Sequence, residues 1–380
     1  MLKKLLASIF FCAYLMVSCN EREQQQDPLR MVLASDNPKI KRVVDSVAPY
    51  EVQIRYTQID RQNDSVIFTD FDYQVDSSHY FYPASTVKLP IAILALEKLN
   101  KIDGMDIDTR FYIEGDSVET TFAKSISAIF AISDNESSNR LFEFLGQDIL
   151  NNSLEKKEVG SFRIVHRLGL HSDDVTTKPL IVYEDDSTTT IIEGSINTPA
   201  KPLNIEGLFK GSAFYDNDSL FHEPFDFSLK NYYPIETQHE VLKRIIFPEH
   251  FPPDKRFDLN EKQLRFLLDA MQTLPRAAGY DPDKYYDGYC KFFMFGDSKE
   301  HIPEHIKIYN KVGFAFGTLT DCAYISDTKN DIDFLLTATI LVNKNTIFND
   351  DIYEYDSVGI PFLAELGRQL YTYERNRKKE

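Results

Sequence analysis

The 380-residue chain is poor in cysteine and histidine and short of positive charge. Its four cysteines include no Cys-x-x-Cys pair, and two of them, Cys12 and Cys19, fall in the N-terminal segment. Cys290 and Cys322 remain for the folded body, enough for one disulfide in an oxidising compartment but no evidence for one. His166 and His171 are five apart, a poor helical pair, and His301 and His305 lack a nearby third ligand. A metal site is therefore not expected, and no cofactor is implied. Lys and Arg number 42 against 59 Asp and Glu, a formal charge of −17. That balance argues against nucleic acid as a partner, and against holding an anionic membrane through surface charge. Beyond the first twenty residues no stretch is long and apolar enough to cross a bilayer.

What is present is ordinary globular material, 43% hydrophobic and 27% charged, enough for one large domain or two small ones. Lys3 and Lys4 precede an apolar run from Leu5 to Val17 that ends at Ser18-Cys19. This reads as a secretory signal peptide over residues 1–18, too short for a comfortable membrane span. Leu15-Met16-Val17-Ser18-Cys19 resembles a lipoprotein processing site, which makes Cys19 the expected lipidated N-terminus; an ordinary signal with an incidental cysteine is the alternative. The expectation is a bacterial cell-envelope protein, periplasmic or surface-exposed, held to the membrane by lipid. Residues 19–37 read as a polar tether, since Asn20 to Pro28 has almost nothing to bury.

Residues 38–380 read as the folded domain. Lys39 to Val47 has amphipathic helical spacing, Glu51 to Ile59 alternates as a strand, and Val66 to Tyr73 returns after a turn at Asn63-Asp64-Ser65. Thr318 to Ser326 and Phe334 to Val342 are β-rich, and Pro361 to Arg375 is helical with Leu363, Leu366, Leu370 and Tyr371 on one face. Strands at both ends with helices between them predict an α/β fold: an antiparallel sheet built from both termini (39–82 and 307–380), flanked by helices, with an all-helical subdomain (83–306) inserted.

Ser85-Thr86-Val87-Lys88 places a hydroxyl and an amine one helical turn apart, so both face one cleft if Ser85 starts a helix. The apolar run Leu89 to Leu96 continues such a helix, and Pro90 falls near its first turn, where a missing N–H costs little. A serine there meets the positive end of the helix, and a lysine of lowered pKa can take its proton. Alone the pattern is weak: Ser153-Leu154-Glu155-Lys156 also fits it, and Ser35-Asp36-Asn37 is a stray Ser-Asp-Asn. Order lifts it. Ser85-x-x-Lys88 is followed by Ser133-Asp134-Asn135 and then by Lys311-Val312-Gly313. By itself Ser133-Asp134-Asn135 reads as a helix N-cap.

The ordered set resembles the class A β-lactamases, within the wider penicillin-binding-protein superfamily of serine hydrolases, with their S-x-x-K, S-D-N and K-T-G elements. Ile132 to Leu141, Gln263 to Met271 and Lys311 to Ile325 carry the likeness beyond the motifs, over roughly Lys39 to Arg375. The resemblance implies Ser85 as the acylated nucleophile, Lys88 as its proton acceptor and Ser133 as the shuttle to the leaving group. It implies Asn135 as a holder of the substrate amide and Lys311 as the source of positive potential. Gly313 and Phe314 fall at the substrate-binding strand, with the backbone N–H groups of Ser85 and Phe314 as the oxyanion hole.

Two departures stand out. Val165 to Pro179 resembles the loop that carries the deacylating glutamate, with Arg167 at its opening and Asp174-x-Thr176-Thr177 at its close, but Gly169 stands where the glutamate is expected. General base catalysis contributes about 10²–10⁴-fold, so slow release of the acyl group is predicted. His171 is a candidate substitute, though a plain surface histidine fits as well. The second departure is Val312 in place of the family's threonine or serine, with Phe314 following where a small or hydroxylated residue is common. An insertion of about 60 residues, roughly 180–243, exceeds most loops in compact domains. Its Tyr183, Phe209, Phe214, Tyr215, Phe221, Phe225 and Phe227 pack it against the body or roof the cleft.

Three functions follow as expectations. The first is a serine acyl-transfer hydrolase acting on β-lactams or a related cell-wall peptide or ester, with slow deacylation. The second is a true β-lactamase with a rearranged deacylation route, and the third a non-catalytic binding lipoprotein of the same fold.

Overall fold

One antiparallel sheet, its central strands buried on both faces, is formed by the terminal strands. In chain order these are β1 (Gln53–Gln62), β2 (Ser65–Tyr73), β3 (Ile306–Ala315), β4 (Thr318–Asp327) and β5 (Ile332–Leu341). Their spatial order is β3-β4-β5-β1-β2, so the two termini interleave and β3 forms one edge. The computed structural model describes residues 27–63, 65–169 and 174–378. The expected signal peptide, Cys19 and His171 lie outside the described residues.

One sheet face, through Val312, Ala323, Leu336 and Ile54, packs against α1 (Pro28–Leu33), α2 (Pro38–Val44) and the C-terminal α9 (Ile360–Arg377). The opposite face, through Ile59, Cys322 and Leu335, meets the middle of the chain. That block contains α3 (Lys88–Leu99), α4 (Phe122–Ile132), α5 (Asn135–Leu145), α6 (Gln147–Lys156), α7 (Ile235–Ile246) and α8 (Glu261–Gln272). Eleven of the twelve residues of α3 are buried, as an all-round apolar helix requires. Asn260 and Gln263 close a reciprocal capping box at the start of α8.

The α/β layering agrees with the sequence pattern, and three details correct it. The tether ends earlier than predicted: Asp27 caps α1, and Leu29, Val32 and Leu33 are buried against the body. Three apolar residues at helical spacing suffice once a partner surface exists. The inserted block is not all-helical. Arg110–Ile113, Thr120–Thr121, Leu180–Tyr183 and Thr189–Ile192 pair into a four-stranded sheet, through runs such as Leu180-Ile181-Val182-Tyr183 whose β-branched residues favour strand.

The insertion also stops short of residue 243. Helix α7 belongs to the body, with Val241, Leu242 and Ile245 in the core and His239 buried between Thr57 of β1 (2.7 Å) and Thr337 of β5 (2.9 Å). Cys290 and Cys322, for which the sequence left a disulfide open, are free buried thiols.

Most aromatic residues of the insertion pack, while Phe209 and Phe221 stay exposed. Phe227 is 1% exposed and meets Tyr80, Tyr82, Phe225, Phe316 and Phe348 in tilted or edge-to-face contacts. Phe214 joins through Phe221 and Phe225, while Tyr183 lies apart against Tyr112 and Arg110. The cluster grips the segment just before Ser85 and the turn just after Phe314.

Candidate active site

Ser85 sits in a single 3₁₀ turn, Ala84–Val87, that leads directly into α3. Ala84, immediately before it, is held at φ +47°, a left-handed conformation that costs about 1–3 kcal/mol for a non-glycine residue. The buried aromatic segment Tyr80 to Tyr82 and the first turn of α3 fix that backbone from both sides. Lys88 begins α3 one turn on and is fully buried.

Ser133 is the second left-handed residue of the site, at φ +58°, where it ends α4 before Asp134 caps α5 by accepting from Ser137 N. That conformation turns both its carbonyl and its hydroxyl toward the cleft. Lys88 Nζ donates to Ser133 O at 2.5 Å and to Asn135 Oδ1 at 2.7 Å, and lies 3.4 Å from Ser133 Oγ. Lys311 Nζ donates to the same Ser133 Oγ at 2.8 Å and to Val312 O at 2.8 Å. Two lysines far apart in sequence thus converge on one hydroxyl. Asp134 plays the cap that the bland reading of the motif foresees, while its two neighbours engage Lys88.

Strand β3 brings in the third element. A Cβ on Gly313 would stand 2.6 Å from Pro83 O and 3.0 Å from both Ser85 N and Thr86 N. Only glycine lets the strand backbone approach the Ser85 turn this closely. Phe314, next along the strand, is 46% exposed, and Val312 is buried in the core.

Burial sets the electrostatics. Desolvation, reinforced by nearby Lys311, holds the Lys88 amine well below the usual lysine range. Desolvation brings Lys311 down to about 8. Beneath them lies a buried network that sequence reasoning missed. Lys291 donates to Met271 O and to Asn310 Oδ1, both at 2.6 Å, and Asn310 Nδ2 donates to Asp321 Oδ1 at 2.8 Å. Asp321 Oδ2 accepts the N–H groups of Phe292 and Phe293, and burial pushes its carboxyl up to about 6. A signal existed: Asp321 interrupts an apolar strand, and a charge inside a buried run demands a partner.

The loop bearing Gly169 keeps its anchors. Arg167 forks onto Glu143 (2.5 and 2.8 Å) and donates to the carbonyls of Asp174 and Thr176, each at 2.6 Å. Asn139 of α5 brackets Leu168, accepting its N–H at 3.0 Å and donating to its carbonyl at 2.9 Å. Gly169 itself has φ +100° and open space where a Cβ would stand. His166 is a core histidine: its Nδ1 pairs with Arg167 O at 2.6 Å, and burial lowers its pKa to about 4.

This architecture has known counterparts. Solved class A β-lactamases superpose on nearly the whole chain. One from Bacteroides cellulosilyticus shares 12% identity at TM-score 0.55, covering 92% of this chain and 98% of its own. The fold is that of the β-lactamases. A class A β-lactamase from Mycobacterium abscessus follows at 14% identity and TM-score 0.51, covering 91% of this chain and 98% of its own. A PBP-A mutant in an acyl-enzyme complex with penicillin G gives 12% identity and TM-score 0.52, covering 94% and 98%. Residues 37–191 match the model of the β-lactamase enzyme family, a span of this β-lactamase fold that includes Ser85, Lys88, Ser133 and Gly169. No curated protein matches the chain in sequence.

Proposed function

We propose that the protein is a serine acyl-transfer hydrolase that uses Ser85 as its nucleophile and acts on β-lactams or a related cell-wall peptide or ester. The observation that carries this reading is the convergence of Lys88 and Lys311 on Ser133 beside the Ser85 turn. Burial lowers the pKa of the Lys88 amine and so favours the neutral form, which can accept the Ser85 proton. Ser85 Oγ then bonds to the acyl carbon while the bond to the leaving group breaks. The proton passes from Lys88 through Ser133 to the departing atom. Lys311, donating to Ser133 Oγ, keeps that hydroxyl's own hydrogen aimed elsewhere, at Lys88 or the leaving group.

Asn135 spends Oδ1 on Lys88, which leaves its Nδ2 for a substrate carbonyl. The N–H groups of Ser85 and Phe314 flank the contact at Gly313 and form the oxyanion hole of this reading. Release of the acyl group is the slow half, because Gly169 offers no base. We further propose export and lipid attachment at Cys19; a Cys19→Ala chain that still incorporates labelled fatty acid would rule this out.

The test is covalent labelling with a fluorescent penicillin and a fluorophosphonate, read by intact mass. A Ser85 adduct that vanishes in Ser85→Ala supports the proposal. Absence of Ser85-dependent reaction with both probes favours a non-catalytic binding protein instead. Fast turnover of a chromogenic cephalosporin points to a working β-lactamase.

A further inference from the structure

Among the described residues, the surface that the cleft offers beside Ser85 lacks the usual means of holding a carboxylate. Lys311, the cation expected to do so, is 2% exposed and gives bonds to Ser133 Oγ and Val312 O. Val312 has no hydroxyl and its side chain is buried. The neighbouring strand β4, Thr318–Asp327, contains no Lys or Arg, and its Asp321 adds negative charge behind Lys311.

What faces outward instead is a ring. Phe314, one residue from the contact with Ser85, stands 5.7 Å from the Tyr355 ring and 6.4 Å from the Phe292 ring. Tyr355 is itself pinned, its hydroxyl accepting the Gly317 N–H at 2.8 Å. On the Ser133 side, Tyr280 lies in the field of Asp134 and against the edge of Tyr285 at 5.7 Å, and a cation beside this pair, Lys284, is held over the Tyr285 ring at 4.9 Å. Glu136, in the first turn of α5, adds another negative charge there. Aromatic faces are negative and repel anions, while they attract flat apolar groups.

We infer that the acyl donor is uncharged and carries an aromatic or apolar acyl group: an ester or activated amide with no free carboxylate next to the scissile bond. The inference rests on the acyl-transfer reading and narrows its substrate class to neutral esters and activated amides, away from β-lactams and from cell-wall peptides that end in a carboxylate, with Phe314 as the specificity-determining residue.

The test uses the full chain and two matched esters of phenylacetylglycine, one with phenol and one with 3-hydroxybenzoic acid. Each acylation rate is divided by that ester's rate with hydroxide, and fluorophosphonate titration of Ser85 is run beside them. The neutral ester is expected to acylate at least about tenfold faster, a discrimination within reach of one pocket contact. Phe314→Ala narrows the ratio, and the double change Val312→Thr, Phe314→Thr narrows it further by restoring hydroxyls. Equal or faster acylation by the carboxylate ester, with Ser85 titrating normally, overturns this inference alone. An unchanged ratio in Phe314→Ala overturns the assignment to that ring. Failure of Ser85 to titrate overturns the acyl-transfer reading and this inference with it.

Discussion

The wall that holds Ser85 and the loop that holds Gly169 are built with equal care but carry different amounts of chemistry. In the wall, Lys88 and Lys311 both donate to Ser133 and Lys88 also to Asn135, and two left-handed residues are kept in place by the surrounding core. In the loop, Arg167, Glu143 and Asn139 make as many bonds, all of them to backbone or to each other. Among the described residues of the loop, Gly169, where the resemblance expects a glutamate, presents no side chain. Holding a loop and equipping it are separate matters, because anchors bind its ends while catalysis needs one group at its middle.

The comparison can be broken by experiment. Ser85→Ala is expected to abolish covalent labelling, a loss of at least about 10³-fold, since no other group forms the acyl bond. Labelling that persists would remove the wall from the chemistry. Lys88→Ala should slow acylation about 10²–10⁴-fold, read as the labelling rate at fixed probe concentration. An undiminished rate would show that the Ser85 proton leaves by another route.

Arg167→Ala attacks the other region. It strands Glu143, about 10% exposed, without its cation. Breaking a pair of this kind costs about 3–5 kcal/mol, so chemical denaturation should shift markedly. Acylation below the unfolding transition should change little, and a large loss of acylation would mean that loop and wall act as one unit.

The smallest effect is pH dependence. Acylation needs Lys88 neutral, and its pKa is depressed, so the rate climbs with pH on the acid side. It also needs Lys311 charged, and because burial brings that amine to about 8, the rate falls as pH passes that value. Lys311→Arg should remove the alkaline limb, since a guanidinium stays charged. An alkaline limb that survives the change assigns it to another group, such as Lys291, whose amine burial also lowers to about 8.

Much of the wall was legible in the sequence, because S-x-x-K lies within one helical turn and the order of the three motifs is a linear property. The same holds for β1, β2, β4 and β5, whose alternation or β-rich composition is local. The buried support was less legible. Asp321 stands out in its apolar strand, but Lys291 and Asn310 look unremarkable until strand pairing sets Asn310 opposite Ala323 and Val312 opposite Asp321. Helix α1 was hidden for a similar reason: six residues have no helical stability of their own, and the surface that stabilises them is the C-terminal helix.

By itself the sequence determined the α/β class, the place of Ser85 at a helix start and the absence of a carboxylate at position 169, all matters of residue identity and short-range spacing. Only the tertiary structure decided that Lys88 and Lys311 meet at Ser133, that both amines are desolvated, and that Gly313 must be bare to touch Ser85. Those facts depend on contacts between residues up to 228 positions apart, and burial, which moves the pKa values, exists only once the chain has closed around them.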